Sequence, residues 1–263
     1  MVNLMQKTNT IVFIHGLFLN NESWSEWKPY FENRGYDVYT PSYPGHEGNP
    51  ASLRNSIHPE LVKTGFTDVL DSMIKFIDSL HEKPIVIGHS MGGLIVQKLV
   101  EANKAVAGVI IDGAQPKNVM PPFVTIKTSW PALNIFKSNS HAFQGSMEWY
   151  RKSFFNTASE TEAYWYYEKF AVPESRKTVK ESAFGSAAKV DFKKPHVPLL
   201  FISGEKDAFF PPRLIKKTLS MYKDKNSIVR FKMFEGRSHF ICGEKNWEEV
   251  ADYIYDWLEK VVE

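Results

Sequence analysis

Pro84-Ile85-Val86-Ile87-Gly88-His89-Ser90-Met91-Gly92-Gly93-Leu94-Ile95-Val96-Gln97-Lys98-Leu99-Val100 is the stretch from which the rest of the chain can be read. Ile85-Val86-Ile87 is a short run of β-branched apolar residues, the pattern of a strand buried on both faces. Gly93 to Val100 continues as a helix rich in apolar residues. Between them Gly88-His89-Ser90-Met91-Gly92 must turn the chain from strand to helix in five residues. In a turn that tight, Ser90 takes a strained backbone conformation, and a side chain two residues to either side would collide with the opposite arm. The hydroxyl is pushed out at the carboxyl end of the sheet, and the free amides at the start of the helix aim at the same point.

Gly-x-Ser-x-Gly alone is a weak pattern; the strand before it and the helix after it make it specific. The whole arrangement resembles the nucleophile elbow of the α/β-hydrolases. A serine hydroxyl is a poor nucleophile at neutral pH. It needs a base within hydrogen-bond reach, and the base needs a carboxylate to fix its tautomer and stabilise its charged form. The resemblance implies the order Ser, then Asp or Glu, then His along the chain. Three histidines follow Ser90: His141, His196 and His239. His141 lies in a polar stretch and His196 between two prolines, so both read as surface or linker residues. His239 lies in Glu235-Gly236-Arg237-Ser238-His239-Phe240, between the strand-like Ile228 to Phe234 and an amphipathic helix from Trp247 to Val262. That loop is where the resemblance puts the base, so His239 is assigned to it.

Two carboxylates compete for the acid. Asp207 follows the strand Leu199-Leu200-Phe201-Ile202 and precedes Pro211-Pro212, a pair suited to opening a helix. Asp112 follows the strand Val109-Ile110-Ile111, and some hydrolases carry the acid there. Asp207 is preferred because it lies one strand before the base; Asp112 reads otherwise as a carboxylate capping a turn, and Glu205 as solvated. The oxyanion cradle is expected from the backbone N–H groups of Met91, which follows the nucleophile, and of Leu17 in the loop after the strand Thr10 to Ile14. Phe18 is the alternative to Leu17. His15 and His89 read as buttresses of their loops.

The resemblance covers Thr10 to Gln115 and Pro195 to Glu263, and Pro44-Gly45-His46 fits the turn that the family often has after its next strand. Within the superfamily the chain looks most like lid-bearing serine carboxylesterases and monoacylglycerol-lipase-like bacterial hydrolases. The implied fold is α/β: a mostly parallel sheet of about six strands with helices on both faces and a helical lid insert. The family's usual N-terminal antiparallel strands have no room, because nine residues precede Thr10. The expected division is a core of residues 1–115 and 195–263 around a lid of 116–194.

Composition leaves that reading intact. The chain has 263 residues, enough for one large α/β domain. A net charge of +2 with scattered basic residues gives no reason to expect nucleic acid as a partner. The single cysteine, Cys242, cannot form an internal disulfide, and without an elbow of its own it reads as a packed thiol. Residues 1–9 lack the apolar run of a signal peptide, and no apolar stretch approaches the ~18 residues that span a bilayer. The expected location is therefore cytoplasmic. HExxH, CxxC, Walker and GxGxxG patterns are missing, so neither metal nor cofactor is expected.

Helices are expected at Glu22 to Asn33, capped by Asn20-Asn21, and at Phe66 to Leu80, with an apolar stripe at 66, 69, 70, 73, 74, 77 and 80. Between Pro116 and Phe192 no buried strand is readable. That stretch holds 15 of the chain's 37 aromatic residues in less than a third of its length. Most should pack the lid onto the core, and together they imply an aromatic-lined pocket for an apolar acyl or aryl group of small to medium size. The expected activity is ester hydrolysis through an acyl-enzyme, the partner being a small apolar ester. A lactonase, C–C bond hydrolase, amidase, perhydrolase, hydroxynitrile lyase or non-catalytic binding protein could carry the same residues. Epoxide hydrolases and haloalkane dehalogenases use Asp where this chain has Ser90.

Overall fold

A computed structural model describes residues 6–261. Val262 of the expected last helix and the first five residues of the N-terminal segment lie outside the described residues. In chain order the strands are β1 (Thr10–Ile14), β2 (Asp37–Tyr39), β3 (Ile85–His89), β4 (Ala107–Ile111), β5 (Ala142–Phe143), β6 (Glu174–Ser175), β7 (Leu199–Gly204) and β8 (Val229–Phe234). The helices are α1 (Trp27–Glu32), α2 (Pro50–Asn55), α3 (Phe66–Asp78), α4 (Met91–Glu101) and α5 (Phe123–Leu133), then α6 (Met147–Ser153), α7 (Glu160–Phe170), α8 (Arg176–Phe184), α9 (Pro212–Leu219) and α10 (Glu248–Val261).

Six strands form one sheet in the order β2-β1-β3-β4-β7-β8, and every pairing is parallel. The chain leaves β1 toward β2 on one side and comes back to β3 on the other. Strand order therefore switches between β1 and β3, which opens a crevice at their carboxyl ends. Alternate residues of each central strand feed two cores. Phe13, Ile87, Ile111 and Ile202 pack with Trp27 and Phe31 of α1 and Ile254 and Leu258 of α10. Val12, Val86, Ile110 and Phe201 pack on the other face with Phe66 and Met73 of α3, Leu94 of α4 and Leu214 of α9. The 3–4 spacing of α3 works as its sequence implies: Phe66, Val69, Leu70, Met73 and Ile77 are all buried.

Two elements depart from expectation. The helix expected from Glu22 to Asn33 is in two pieces, a 3-10 turn over Asn21–Trp24 and then α1. Pro29 has no N–H to donate and its ring opposes the carbonyl four residues back, so it is accommodated only in a first turn and forces a new start. The Asn20 side chain does cap the 3-10 turn, accepting the Glu22 amide at 3.1 Å. The second departure lies between β4 and β7, in an insert of α5 to α8. Its β5 and β6 pair antiparallel, two residues each, and Glu174 and Ser175 of β6 are fully buried. A polar pair carries no hydrophobic periodicity, so nothing in the sequence marks it as a strand. The insert's aromatics divide: Tyr150, Phe154, Phe155, Tyr166 and Phe170 are buried, whereas Phe123, Phe136, Tyr164, Trp165 and Phe184 face outward.

Candidate active site

At the crevice, Ser90 ends the turn from β3 and caps α4 with φ 55° and ψ −119°. Positive φ is uncommon for a residue other than glycine, and holding it costs about 1–3 kcal/mol of strain. The strain is fixed by bonds on both sides. The Ser90 amide donates to the Ile111 carbonyl at 2.9 Å, and its own carbonyl accepts from Gly93 and Ala114 at 2.9 and 2.8 Å. The flanking glycines are required by contact. A Cβ on Gly88 would lie 2.3 Å from the Gly92 oxygen, and one on Gly92 would lie 2.2 Å from the Ile14 oxygen.

Ser90, His239 and Asp207 come together in a hydrogen-bonded line. His239 Nε2 lies 3.1 Å from Ser90 Oγ, and its Nδ1 lies 2.8 Å from Asp207 Oδ2. All three are buried. Asp207 Oδ1 also accepts the amides of Phe209 and Phe210 at 2.6 and 2.9 Å. Burial alone would push this carboxyl up, but the His239 imidazole and the two amides outweigh it and hold Asp207 below the usual carboxylate range. With Nδ1 donating to the carboxylate, Nε2 is left to accept the serine proton. Phe209 and Phe210 set their rings against the imidazole, with centroids 4.8 and 5.4 Å away.

Asp112 is close by but differently held. Its Oδ1 accepts the Gly204 amide at 2.8 Å, while Oδ2 is buried without a partner. Burial, reinforced by the neighbouring Asp207 charge, pushes its carboxyl well above the usual range, so it keeps its proton. Of the remaining histidines after Ser90, His141 is exposed beside Ser140, and His196 is bonded to the Val197 carbonyl. Glu205 holds the Gly236 amide at 3.0 Å. Cys242 is buried, which pushes its thiol up and leaves it unreactive.

The loop after β1 packs directly on the elbow: a Cβ on Gly16 would lie 2.8 Å from Ser90 Cβ. Among the described residues neither the Leu17 nor the Met91 amide has a hydrogen-bond acceptor. Phe18, the alternative to Leu17, has its amide taken by Glu174 Oε2 at 3.3 Å. His15 Nδ1 donates to the Gly16 carbonyl at 2.9 Å, and its Nε2 accepts the Tyr43 amide at 3.2 Å. Burial, with His46 nearby, lowers the His15 pKa well below its ordinary value, so the ring stays neutral. His89 Nε2 donates to the His239 carbonyl at 2.7 Å, tying the turn at Ser90 to the loop that carries His239. Burial and the nearby His239 bring the His89 pKa down to about 3, so it too is neutral. These two bond sets fit the buttress role read from sequence. The buried Glu174, from the insert, is the feature that sequence reasoning missed.

Leu17, Phe18, Ser90, His239, Trp149 and Phe154 are among the residues around a cavity of about 50 Å³. Phe209, Phe210, Val179, Ala132 and Ser129 complete its wall, so the lining is apolar except at Ser90, His239 and Ser129; the Trp149 indole N–H donates to the Thr128 carbonyl at 3.2 Å. Among the described residues, potential metal ligands converge at His89, Asp112 and His239, whose donor atoms lie within 4.8 Å of one another. Both His239 nitrogens are already hydrogen-bonded, to Ser90 and Asp207, which leaves only His89 Nδ1 and Asp112 Oδ2 without partners, fewer than the three or four donors that a metal needs.

Residues 11–253 match the model of the alpha/beta hydrolase family, and the chain belongs to that family. Among solved structures it is similar to the monoacylglycerol lipase of Paleococcus ferrophilus, with 20% identity over 98% of this chain and 97% of the other, at a TM-score of 0.69. An extracellular alpha/beta-hydrolase from a Paenibacillus species gives 19% identity over 95% and 98% of the two chains, at 0.72. Tomato methylketone synthase I gives 16% identity over 97% and 99%, at 0.69. At these identities the likeness establishes the fold alone. No curated protein sequence matches the chain. Among the described residues, no helix is long and apolar enough to cross a membrane.

Proposed function

We propose that this protein is a serine hydrolase that cleaves carboxylic esters of small to medium apolar acyl or aryl groups. The observation that carries this reading is the continuous line Ser90 Oγ, His239, Asp207, closed by two backbone donors on the lowered carboxylate. His239 Nε2 takes the Ser90 proton as Oγ attacks the ester carbonyl, forming the tetrahedral adduct. Its oxyanion is met by the Leu17 and Met91 amides, beside the N-terminus of α4. The C–O bond then breaks, His239 hands its proton to the leaving alcohol, and the acyl group stays on Ser90. Water, deprotonated by His239, attacks the acyl-enzyme and releases the acid. Asp207 stays ionised throughout and stabilises the imidazolium.

The insert, residues 116–194, acts as a lid over the two core segments, with Trp149, Phe154 and Val179 roofing the acyl pocket. A cavity of about 50 Å³ puts short acyl chains first. Neither a metal nor a cofactor is needed for these steps. The single buried thiol suits the reducing cytoplasm. Ser90→Ala is expected to abolish turnover of p-nitrophenyl butyrate, a loss of about 10⁴-fold or more in kcat, with an unchanged circular dichroism spectrum. Full turnover by that variant would refute the assignment.

A further inference from the structure

The oxyanion loop is shaped from above, by the insert. Phe18 sits beside Leu17 at φ 66°, a conformation that a phenylalanine holds only when its surroundings fix it. Its amide donates to Glu174 Oε2 at 3.3 Å. Its carbonyl accepts from the Val172 amide at 3.1 Å and from the Tyr150 hydroxyl at 2.8 Å. All three partners belong to the insert. Glu174 is fully buried; its Oε2 also accepts from His46 Nε2 at 3.1 Å, and its Oε1 accepts from the Ser175 amide at 2.8 Å. A carboxylate in this position is expensive to desolvate and has no packing role that an apolar residue could not fill better. What it alone supplies is acceptors for three converging donors, one of them the backbone of the oxyanion loop.

We propose that Glu174 is a positioning residue: by holding the Phe18 amide it fixes the strained backbone that aims the Leu17 amide at the Ser90 reaction centre. This inference rests on the serine-hydrolase reading above. It makes the cradle a joint structure of core and insert, with the buried His46, from the loop after β2, balancing the Glu174 charge. Glu174→Gln keeps the shape but puts an NH2 group where one oxygen was, so at least one of the three donors loses its acceptor.

The test compares wild type and Glu174→Gln in p-nitrophenyl butyrate hydrolysis, with rates expressed per site titrated by a fluorophosphonate. The variant is expected to lose about 10- to 100-fold in kcat with KM within about twofold. Its affinity for a phenylboronic acid, which forms a tetrahedral adduct on serine, should fall in step with kcat. A merely structural role would lower the number of titratable sites and leave kcat per site unchanged, and that result overturns the proposal. Should Glu174→Gln not fold, Tyr150→Phe decides: it removes one bond to the Phe18 carbonyl at nearly constant volume. It is expected to lower kcat about two- to fivefold without raising KM, and an unchanged kcat overturns the proposal. A wild type with neither ester turnover nor label on Ser90 would instead bring down the serine-hydrolase reading, and this inference with it.

Discussion

The turns that follow β7 and β4 each carry a buried aspartate beside the same histidine, and their surroundings divide them. After β7, Asp207 receives two backbone amides and the imidazole of His239, and it stays ionised. After β4, Asp112 receives one amide, leaves its second oxygen unpartnered and keeps its proton. Two like charges this close would repel, so ionising one favours protonating the other. What separates a proposed catalytic acid from a neutral neighbour is the number of donors that its loop supplies. Residue type and strand-end position are the same for both.

Isosteric amides should separate them most sharply. Asp207→Asn is expected to lower kcat/KM for p-nitrophenyl butyrate by about 10³- to 10⁴-fold, because the amide cannot hold His239 in the required tautomer. Asp112→Asn resembles the protonated form already present, so its loss should stay within about threefold. Equal losses at the two positions would break the distinction.

A smaller effect is expected at the wall of the pocket beside Ser90 and His239. Ala132→Val adds two methyl groups to a cavity of about 50 Å³. The ratio of kcat/KM for butyrate over acetate should fall about tenfold, since one methylene is worth about 1–3 kcal/mol in a tight apolar pocket. An unchanged ratio would show that the acyl group lies elsewhere.

The smallest effect is on stability, and its sign follows from the proton on Asp112. In the unfolded chain that carboxyl ionises at about pH 4, whereas in the folded protein its pKa is raised. Above about pH 4 the folded state therefore binds more protons than the unfolded state. Stability from this group falls as pH rises toward the native value. Asp207 runs the other way: its contribution is complete above about pH 4 and is lost as pH falls through its lowered native value. Because a carboxamide does not titrate, the stability of Asp112→Asn relative to wild type should climb as pH rises above about 4 toward the raised native value, by no more than ~1.4 kcal/mol per pH unit. Melting temperatures of the two proteins across that range check it. A flat difference would mean that Asp112 is ionised in the folded protein.

How much could be read in advance follows from the same physics. Ile85-Val86-Ile87 and the stripe of α3 are repetitive patterns with local meaning, so the parallel sheet and its helices were legible from them. Ser90, Asp207 and His239 were legible because each lies in the first loop after a strand, where topology confines it. The division at Pro29 was missed because the apolar side chains around it keep a helical spacing that the missing N–H interrupts. Glu174 could not have been found: a glutamate in a two-residue strand has no periodicity, and its meaning depends on His46 and Phe18, far away in the chain. Core residues announce themselves through local repetition; insert residues acquire their roles only by contact.

The central claim is that Ser90 attacks because His239, held by Asp207, removes its proton. Its most direct test is the rate and site of fluorophosphonate labelling, followed by peptide mass spectrometry in wild type and in His239→Ala. One adduct is expected, on the peptide containing Ser90, formed at least about 10³-fold more slowly when His239 is removed. Labelling of a different residue, or an undiminished rate at Ser90 without His239, would contradict it.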